Sequence, residues 1–148
     1  MSDAPLPPIA DFDPRPELSV WLERAQRRGE RHGLALLAGH GAWSAEVDAQ
    51  SLSAVLRDGD RIWIWRGSPD RVVLLLTGVG DLPTAADVVR RLVSGLAEPQ
   101  PNAGVALLQP GEGVDSLLRR VEGAWLLATD EAPGHVATSP VLGAPNAR

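Results

Sequence analysis

Two apolar segments separated by a turn-forming segment constrain the fold of this chain more than any other feature. Ile62–Trp65 and Val72–Leu76 are rich in isoleucine, valine, leucine and tryptophan, which is typical of buried strands. The intervening Arg66–Arg71 contains Gly, Ser, Pro and Asp, the residues that form turns. We therefore predict a β-hairpin. Because both strands are apolar on both faces, we expect helices to cover its sheet.

Helical and strand patterns flank this hairpin. Apolar residues at helical spacing predict four helices, around Leu18–Ala25, Leu52–Leu56, Ala85–Leu96 and Val114–Ala128. Further strands are predicted at Leu34–Ala38, at Gly104–Leu108 and, at the edge of the sheet, at His135–Thr138. The order α β α β β α β α β predicts an α/β (α+β) fold, a central mixed sheet that contains an antiparallel hairpin and is covered by helices.

Local signals set the expected helix boundaries. We expect the first helix to end near Gly29 or Gly33. The second helix is expected to stop at Arg57, because Asp58-Gly59 is a turn signal. Thr84–Asp87 is similar to a capping box and predicts the start of the third helix.

The ends of the chain differ from its middle. Residues 1–15 are rich in proline and residues 139–148 show little periodicity, so we predict flexible segments there and one domain over 16–138. Neither end is similar to a targeting segment, and no stretch approaches about 20 consecutive apolar residues. We therefore expect a cytoplasmic protein without membrane insertion.

The composition excludes several classes of function. The 148 residues include 14 basic and 19 acidic side chains, a formal charge of −5, which argues against nonspecific nucleic-acid binding. Cysteine is absent, which excludes thiolate catalysis and cysteine-ligated zinc. All 14 basic residues are arginine, so no lysine can bind phosphate in a Walker motif, form a Schiff base or act as a general base.

The order of elements and several local strings resemble the GGDEF domain of diguanylate cyclases, which is similar in fold to adenylyl cyclase catalytic domains. The resemblance is strongest over residues 52–127. Leu56–Ile62 resembles the family's helix end and turn, and Arg66-Gly67-Ser68-Pro69-Asp70 occupies the position of the GGDEF signature. Gly104–Leu108 resembles a late strand, and Leu117–Trp125 resembles the closing helix. The resemblance implies a GGDEF / nucleotidyl-cyclase-like fold.

Departures from the family pattern imply a degenerate catalytic site. In a cyclase, paired glycines let the GTP phosphates approach the backbone, and acidic residues hold two metal ions. Here Gly67 is the only glycine at the signature, Pro69 stiffens the turn, and Asp70 is its only acidic residue. Where the family has a second metal-binding Asp, this chain has Ala38–Gly41. We therefore predict no cyclase activity, no catalytic residues, no metal site and no cofactor.

Arg57-Asp58-Gly59-Asp60 is an Arg-x-x-Asp motif that residues 61–65 separate from the signature position. At this spacing it resembles the family's inhibitory site, which binds the product cyclic di-GMP. An arginine can donate to O6 and N7 of guanine, and a carboxylate can accept from N1–H and the exocyclic amine. The resemblance also implies a second arginine on the following helix, either Arg91 or, with a one-residue shift, Arg90.

These features lead to the hypothesis of an inactive GGDEF-like domain that binds cyclic di-GMP and signals through a protein partner or as a homodimer. One alternative is a nucleotide-independent interaction scaffold. An exposed Trp63 or Trp65, or an Arg57–Asp60 pair in a closed turn, would favour that alternative. Another is an active enzyme, either a cyclase with unusual metal ligands or an unrelated hydrolase, for which His40 and Ser44 are a weak signal.

Overall fold

Six strands and four helices lie within residues 9–139, the part of the chain that the computed structural model describes. In chain order they are β1 (Ile9–Ala10), α1 (Arg15–Arg28), β2 (His32–Ala38), α2 (Ala45–Ser53), β3 (Arg61–Trp65), β4 (Arg71–Thr77), α3 (Leu82–Ser94), β5 (Asn102–Leu107), α4 (Val114–Ala128) and β6 (Val136–Thr138). This order matches the sequence prediction, except that it begins with β1, which the sequence pattern does not predict.

The ends of the chain were predicted as flexible segments. Within the first of them, residues 9–15 contain β1 and the first residue of α1. The rest of that segment, residues 1–8, and residues 140–148 of the C-terminal one lie outside the described residues.

The six strands form one mixed sheet in the order β1-β3-β4-β2-β5-β6. The predicted hairpin is confirmed, because β3 and β4 pair antiparallel with Trp63 opposite Val73. Strand β2 pairs antiparallel with both β4 and β5, while the edge strands β1 and β6 pair parallel with β3 and β5. This mixed sheet covered by helices is the predicted fold class.

Each face of the sheet packs against two helices, which explains why the strands are apolar on both faces. One core contains side chains of α2 and α3, among them Ala49, Leu52 and Val89. The other contains side chains of α1 and α4, among them Leu18 and Val121. Within residues 9–139, no helix combines the length and hydropathy that crossing a membrane requires.

Three predicted helix boundaries are wrong. Helix α2 begins at Ala45, where Ser44 caps it, and not near Leu52. It ends at Ser53, not at Arg57, because the Arg57 N–H donates to the Asp60 carboxylate instead of continuing the helical hydrogen bonds. Helix α3 begins at Leu82, not at the predicted Thr84, because Asp81 caps it. The Asp81 carboxylate accepts a hydrogen bond from the Thr84 N–H at 2.8 Å. This bond lowers the pKa of Asp81. Helix α1 is followed by Gly29 at φ 66°, one of the two predicted ends.

Candidate functional site

Asp60 closes the turn between α2 and β3. Its side chain is 3% exposed. Its Oδ1 accepts hydrogen bonds from the backbone N–H of Thr77 at 3.0 Å and from the Thr77 hydroxyl at 3.1 Å, and its Oδ2 accepts from the Arg57 N–H at 3.2 Å. The turn is thereby tied to the end of β4. In this conformation, the buried carboxylate is not accessible to the edge of a guanine.

Arg57 lies in the same turn with its side chain 64% exposed. Its Nη2 donates to the Thr77 carbonyl oxygen and lies 3.4 Å from Asp60 Oδ1. Within residues 9–139, Nε and Nη1 have no hydrogen-bond partner. Nη2 is therefore bonded within the protein, and the other two nitrogen atoms of the guanidinium are available for a ligand.

His32 holds the same end of β4 from the opposite side. The buried ring accepts a hydrogen bond at Nδ1 from the Gly78 N–H at 3.0 Å, so its proton lies on Nε2, which faces Glu30 Oε1 at 3.3 Å. Gly78 has φ 74°, a conformation that favours glycine. The backbone at 77–78 is thus fixed from both sides.

A cavity of about 280 Å³ lies between this turn and α3. Arg57 and Thr84 are polar residues of its lining, Asp60 belongs to its wall with the carboxylate almost fully buried, and Gly78 and Gly80 contribute backbone. The apolar wall consists of Val55, Leu56, Leu76, Val79, Val88 and Leu92. The volume is below the roughly 300–1,000 Å³ of cavities that bury a drug-sized ligand. It can enclose part of a dinucleotide while the remainder lies on the surface.

Arg91 and Arg90 occupy different sides of α3. Thr84 and Val88 line the cavity, and Arg91 follows them by seven and three residues, which places it on the same side of the helix. Within residues 9–139, the exposed Arg91 side chain has no hydrogen-bond or ion-pair partner. Arg90 is rotated by about 100° from Arg91 and lies 2.9 Å from Asp87. The helix geometry therefore places Arg91, and not Arg90, on the side of α3 that lines the cavity.

The turn at the signature position is closed by its own side chains. Asp70 Oδ1 accepts from the Gly67 N–H at 2.9 Å, and Asp70 Oδ2 lies 3.4 Å from Arg66 Nη1. The Ser68–Pro69 peptide bond is cis. The only carboxylate of this turn is therefore engaged within the turn.

Arg66 joins this turn to two distant segments. Its Nε and Nη2 donate to the two carboxylate oxygens of Asp11 at 3.0 and 2.8 Å, and Nη2 lies 3.2 Å from Glu46 Oε2. These hydrogen bonds, first that to Asp11 and then that to Glu46, raise the pKa of the Arg66 guanidinium above its ordinary range. The same contact lowers the pKa of Asp11. Asp11, Glu46 and Asp70 thus converge on one arginine.

The loop between β2 and α2 contains no carboxylate at residues 38–41. The Trp43 ring packs on Gly39 and donates from Nε1 to Asp48 Oδ2 at 2.5 Å. Burial raises the pKa of Asp48, and the bond from Trp43 partly offsets this rise. Ser44 caps α2 by accepting from the Val47 N–H, and no hydrogen bond joins it to His40 within residues 9–139. The same residues contain no group of three or more His, Cys, Asp or Glu side chains that could hold a metal ion.

The strand tryptophans belong to the core and its border. Trp63 is fully buried and donates from Nε1 to Glu17 Oε1 at 3.0 Å. Trp65 is partly buried, with the Arg71 guanidinium 3.8 Å from its ring centroid. Trp63 therefore cannot serve as a base-stacking platform, and stacking on Trp65 would compete with Arg71.

Sequence reasoning misses the residues that support the predicted site. Thr77 is hydrogen-bonded to both Arg57 and Asp60. The pairing of β3 with β4 indicates this contact, because Asp60 precedes Arg61, which pairs with Leu75 near the end of β4. Asp11 and Glu46 give no such signal, because they approach the signature turn from distant parts of the chain.

No protein-family model matches this chain, and no curated protein sequence matches it. Solved structures do resemble it. The GGDEF domain of TpbB (YfiN) from Pseudomonas aeruginosa superposes with a TM-score of 0.71 at 16% identity, covering 88% of this chain and 91% of that one. The GGDEF domain of DgcB from Caulobacter crescentus, in complex with c-di-GMP, gives 0.69 at 15% identity over 93% and 92% of the two chains.

The diguanylate cyclase SiaD from Pseudomonas aeruginosa, in complex with its activator SiaC, also resembles this chain. Its TM-score is 0.69 at 23% identity, and the match covers 84% of this chain but 58% of SiaD. At such low identities the likeness concerns the fold. The chain therefore has the GGDEF, nucleotidyl-cyclase-like α+β fold.

Proposed function

We propose that this chain is a catalytically inactive GGDEF-type domain that binds cyclic di-GMP and signals through a protein partner. The observation that carries the proposal is the exposed Arg57 guanidinium at a cavity beside α3, with Arg91 on the same side of that helix. Two arginines next to an apolar wall offer donors to guanine and phosphate oxygens and a surface for a base. The DgcB complex with c-di-GMP makes a ligand of this class a natural candidate.

Each residue of the proposed site has a distinct role. Arg57 donates to O6 and N7 of a guanine from Nη1 together with an N–H of Nη2, which share one edge of the guanidinium. Arg91 binds a phosphate or stacks on a base. Asp60 acts as a positioning residue, because its buried carboxylate fixes the backbone N–H of Arg57 and the end of β4. This role replaces the predicted contact between Asp60 and the Watson–Crick edge.

Catalytic inactivity follows from the chemistry of the degenerate signature. Two-metal phosphoryl transfer requires carboxylates that are free to bind cations beside the substrate phosphates. Asp70 is instead bonded to Gly67 and faces Arg66. Incubation with GTP and Mg²⁺ or Mn²⁺, followed by nucleotide chromatography, is expected to yield no dinucleotide. Any dinucleotide product would contradict inactivity.

Calorimetry tests the receptor function. Cyclic di-GMP is expected to bind the nucleotide-free protein, and cyclic di-AMP is expected not to, because adenine lacks the O6 acceptor. A bidentate arginine–guanine contact contributes about 1–3 kcal/mol, so Arg57→Ala should weaken binding at least about tenfold. Arg90→Ala is the matched control and should bind as the wild type does. An Arg57→Ala variant that binds cyclic di-GMP with unchanged affinity would refute the proposed site.

One observation favours the nucleotide-independent scaffold as a second candidate. Arg57 and Asp60 are paired at 3.4 Å in a turn that is already closed without a ligand. The other feature that would favour a scaffold is an exposed Trp63 or Trp65. Trp63 is buried, and Trp65 is partly buried with the Arg71 guanidinium over its ring. A protein partner whose affinity does not change with cyclic di-GMP, together with no calorimetric signal, would establish the scaffold instead.

A further inference from the structure

The side of α4 that points away from the core is apolar near the end of the helix. Leu126 and Leu127 are 56% and 64% exposed. The buried residues of α4 centre on Val121, and Arg119, Gly123 and Leu126 lie on the opposite side of the helix at spacings of four and three residues. We call these three residues the outer face of α4. Its leucine contacts solvent, so burial of this face against another molecule is favourable.

Gly123 leaves a notch in the outer face. Apart from the neighbouring backbone of α4, no atom of residues 9–139 lies within 4 Å of the position that its Cβ would occupy. Packing within the chain therefore does not require a glycine here, although glycine destabilises the middle of a helix relative to alanine. A glycine on an exposed helix surface does let a protruding side chain of another molecule approach the backbone.

Asp130 extends the outer face beyond the end of α4. Thr129 keeps a helical backbone at φ −69° and ψ −15°, and the Asp130 N–H donates to the Leu127 carbonyl oxygen at 3.3 Å. The chain thus continues its helical turn, and Asp130 follows Leu126 by four residues on the same side.

Opposite charges lie at the two ends of this face. Arg119 is at one end and Asp130 at the other, and both are exposed. Within residues 9–139, neither side chain has a hydrogen-bond or ion-pair partner. The helix dipole does not account for Asp130, because negative charge is unfavourable at the C-terminal end of a helix. The outer face is therefore positive at one end, apolar in the middle and negative at the other end.

We propose that two copies of this chain associate by packing the outer faces of their α4 helices against each other in antiparallel orientation. Leu126 of each copy then enters the notch at Gly123 of the other. The same register brings Arg119 of each copy to the level of Asp130 of the other, so two ion pairs flank the leucines. Glu122, at the flank of the face, lies at the level of Leu126 of the second copy and meets no second carboxylate.

The charge pattern favours a second copy over an unrelated partner. A two-fold symmetric interface uses the same patch on both subunits, so the patch must be complementary to itself. A face with Arg119 at one end and Asp130 at the other meets this condition, because reversing its direction pairs unlike charges. One face of a 15-residue helix is smaller than the roughly 1,200–2,000 Å² of stable interfaces, so we expect a weak dimer. The inference does not rest on nucleotide binding, since no residue of this face lines the Arg57 cavity.

Analytical ultracentrifugation of the full chain without nucleotide, from micromolar to millimolar concentrations, tests this proposal. The wild type should show a monomer–dimer equilibrium, and Leu126→Glu should remain monomeric. Val47→Glu on α2 is the matched control, because Val47 is also 56% exposed, and this variant should dimerise normally. A wild type that stays monomeric throughout would overturn the proposal and leave the face to a different partner. Equal association of the two variants would overturn it as well.

Gly123→Gln separates loss of the interface from loss of the fold. The glutamine side chain fills the notch without changing the charge, so it should weaken dimerisation at least about tenfold. Glutamine is also a better helix former than glycine, so the monomer should keep its helix, which circular dichroism verifies. Unchanged dimerisation of this variant would show that the notch is not at the interface.

Charge reversal tests the antiparallel register. Arg119→Asp and Asp130→Arg should each weaken dimerisation at least about tenfold, because each brings like charges together at two symmetry-related positions. An equimolar mixture of the two single variants should associate, since every facing pair is then of opposite sign. The double variant should regain dimerisation for the same reason. A double variant as weak as the single variants, or a mixture that stays monomeric, would contradict the proposed pairing.

Discussion

Arg57 and Asp60 lie three residues apart in one turn, yet they differ greatly in exposure, at 64% and 3%. The difference arises because the hairpin brings Thr77, at the end of β4, against Asp60. The Asp60 carboxylate is buried there and accepts hydrogen bonds from the backbone N–H and the hydroxyl of Thr77. Arg57 leaves the same turn toward solvent. The sequence predicts that both residues of the motif contact a ligand. In the structure Arg57 is exposed, whereas Asp60 is buried and stabilises the turn.

Asp60→Ala should lower the free energy of unfolding by about 1–3 kcal/mol, because it leaves the Thr77 and Arg57 N–H groups without their acceptor. Urea denaturation measures this change. Asp58→Ala is the matched control, since Asp58 is an exposed carboxylate in the same turn. Equal stability of the two variants would show that Asp60 does not hold the turn.

Gly104 supports the sheet by bringing β5 close to α4. A Cβ at this position would collide with the Val121 carbonyl oxygen and the Trp125 N–H, and would lie 3.0 Å from the Ala124 carbonyl carbon. Backbone cannot rotate away as a side chain can, so Gly104→Ala should destabilise the protein by about 2–3 kcal/mol in urea denaturation. Gly123→Ala is the control, because this position in α4 is open and alanine there should stabilise by about 0.5–1 kcal/mol. A neutral Gly104→Ala variant would contradict this packing.

At the scale of elements, apolar periodicity predicts the helices, which bury one face, and continuous apolar runs predict the strands, which are buried on both faces. The exceptions have local causes. Strand β1 contains two residues, too few for any period. Helix α2 ends early because the Arg57 N–H donates to the Asp60 carboxylate, a contact that the apolar periodicity does not indicate. For the site, the sequence predicts Arg57 as a ligand-binding residue only through the resemblance, and the burial of Asp60 depends on the pairing of β3 with β4.

The contact between Arg66 and Asp11 predicts a pH effect. The pKa of Asp11 is lowered in the folded protein, so its stabilising contribution is present above its ordinary pKa of 3.8 and is lost as the pH falls through the folded value. Arg66→Ala should raise the pKa of Asp11 toward 3.8, measured by NMR titration of its carboxyl carbon. The stability difference between wild type and variant should disappear in acid. An unchanged Asp11 titration in the variant would show that the contact does not persist in solution.

At the scale of the whole molecule, the sheet separates two surfaces. The Arg57 cavity lies beside α3, which covers one face, and a second cavity, lined by Leu22, Glu30 and Arg31 among others, lies at the end of α1, which covers the other. His32 lies between the two cavities. Its ring contacts Glu30, which lines the cavity at α1, and accepts a hydrogen bond from Gly78, which lines the Arg57 cavity. The proposed nucleotide site therefore lies on the face of the sheet that α2 and α3 cover.

Titration of ¹⁵N-labelled protein with cyclic di-GMP tests the central claim most directly, because amide shifts report both binding and its location. We expect saturable shifts at the amides of Arg57, Gly78, Gly80 and Thr84, which surround the cavity. The amides of His40 and Gly41, in the loop after β2, should not shift. The absence of saturable shifts at the cavity, or shifts confined to the loop after β2, would contradict the account.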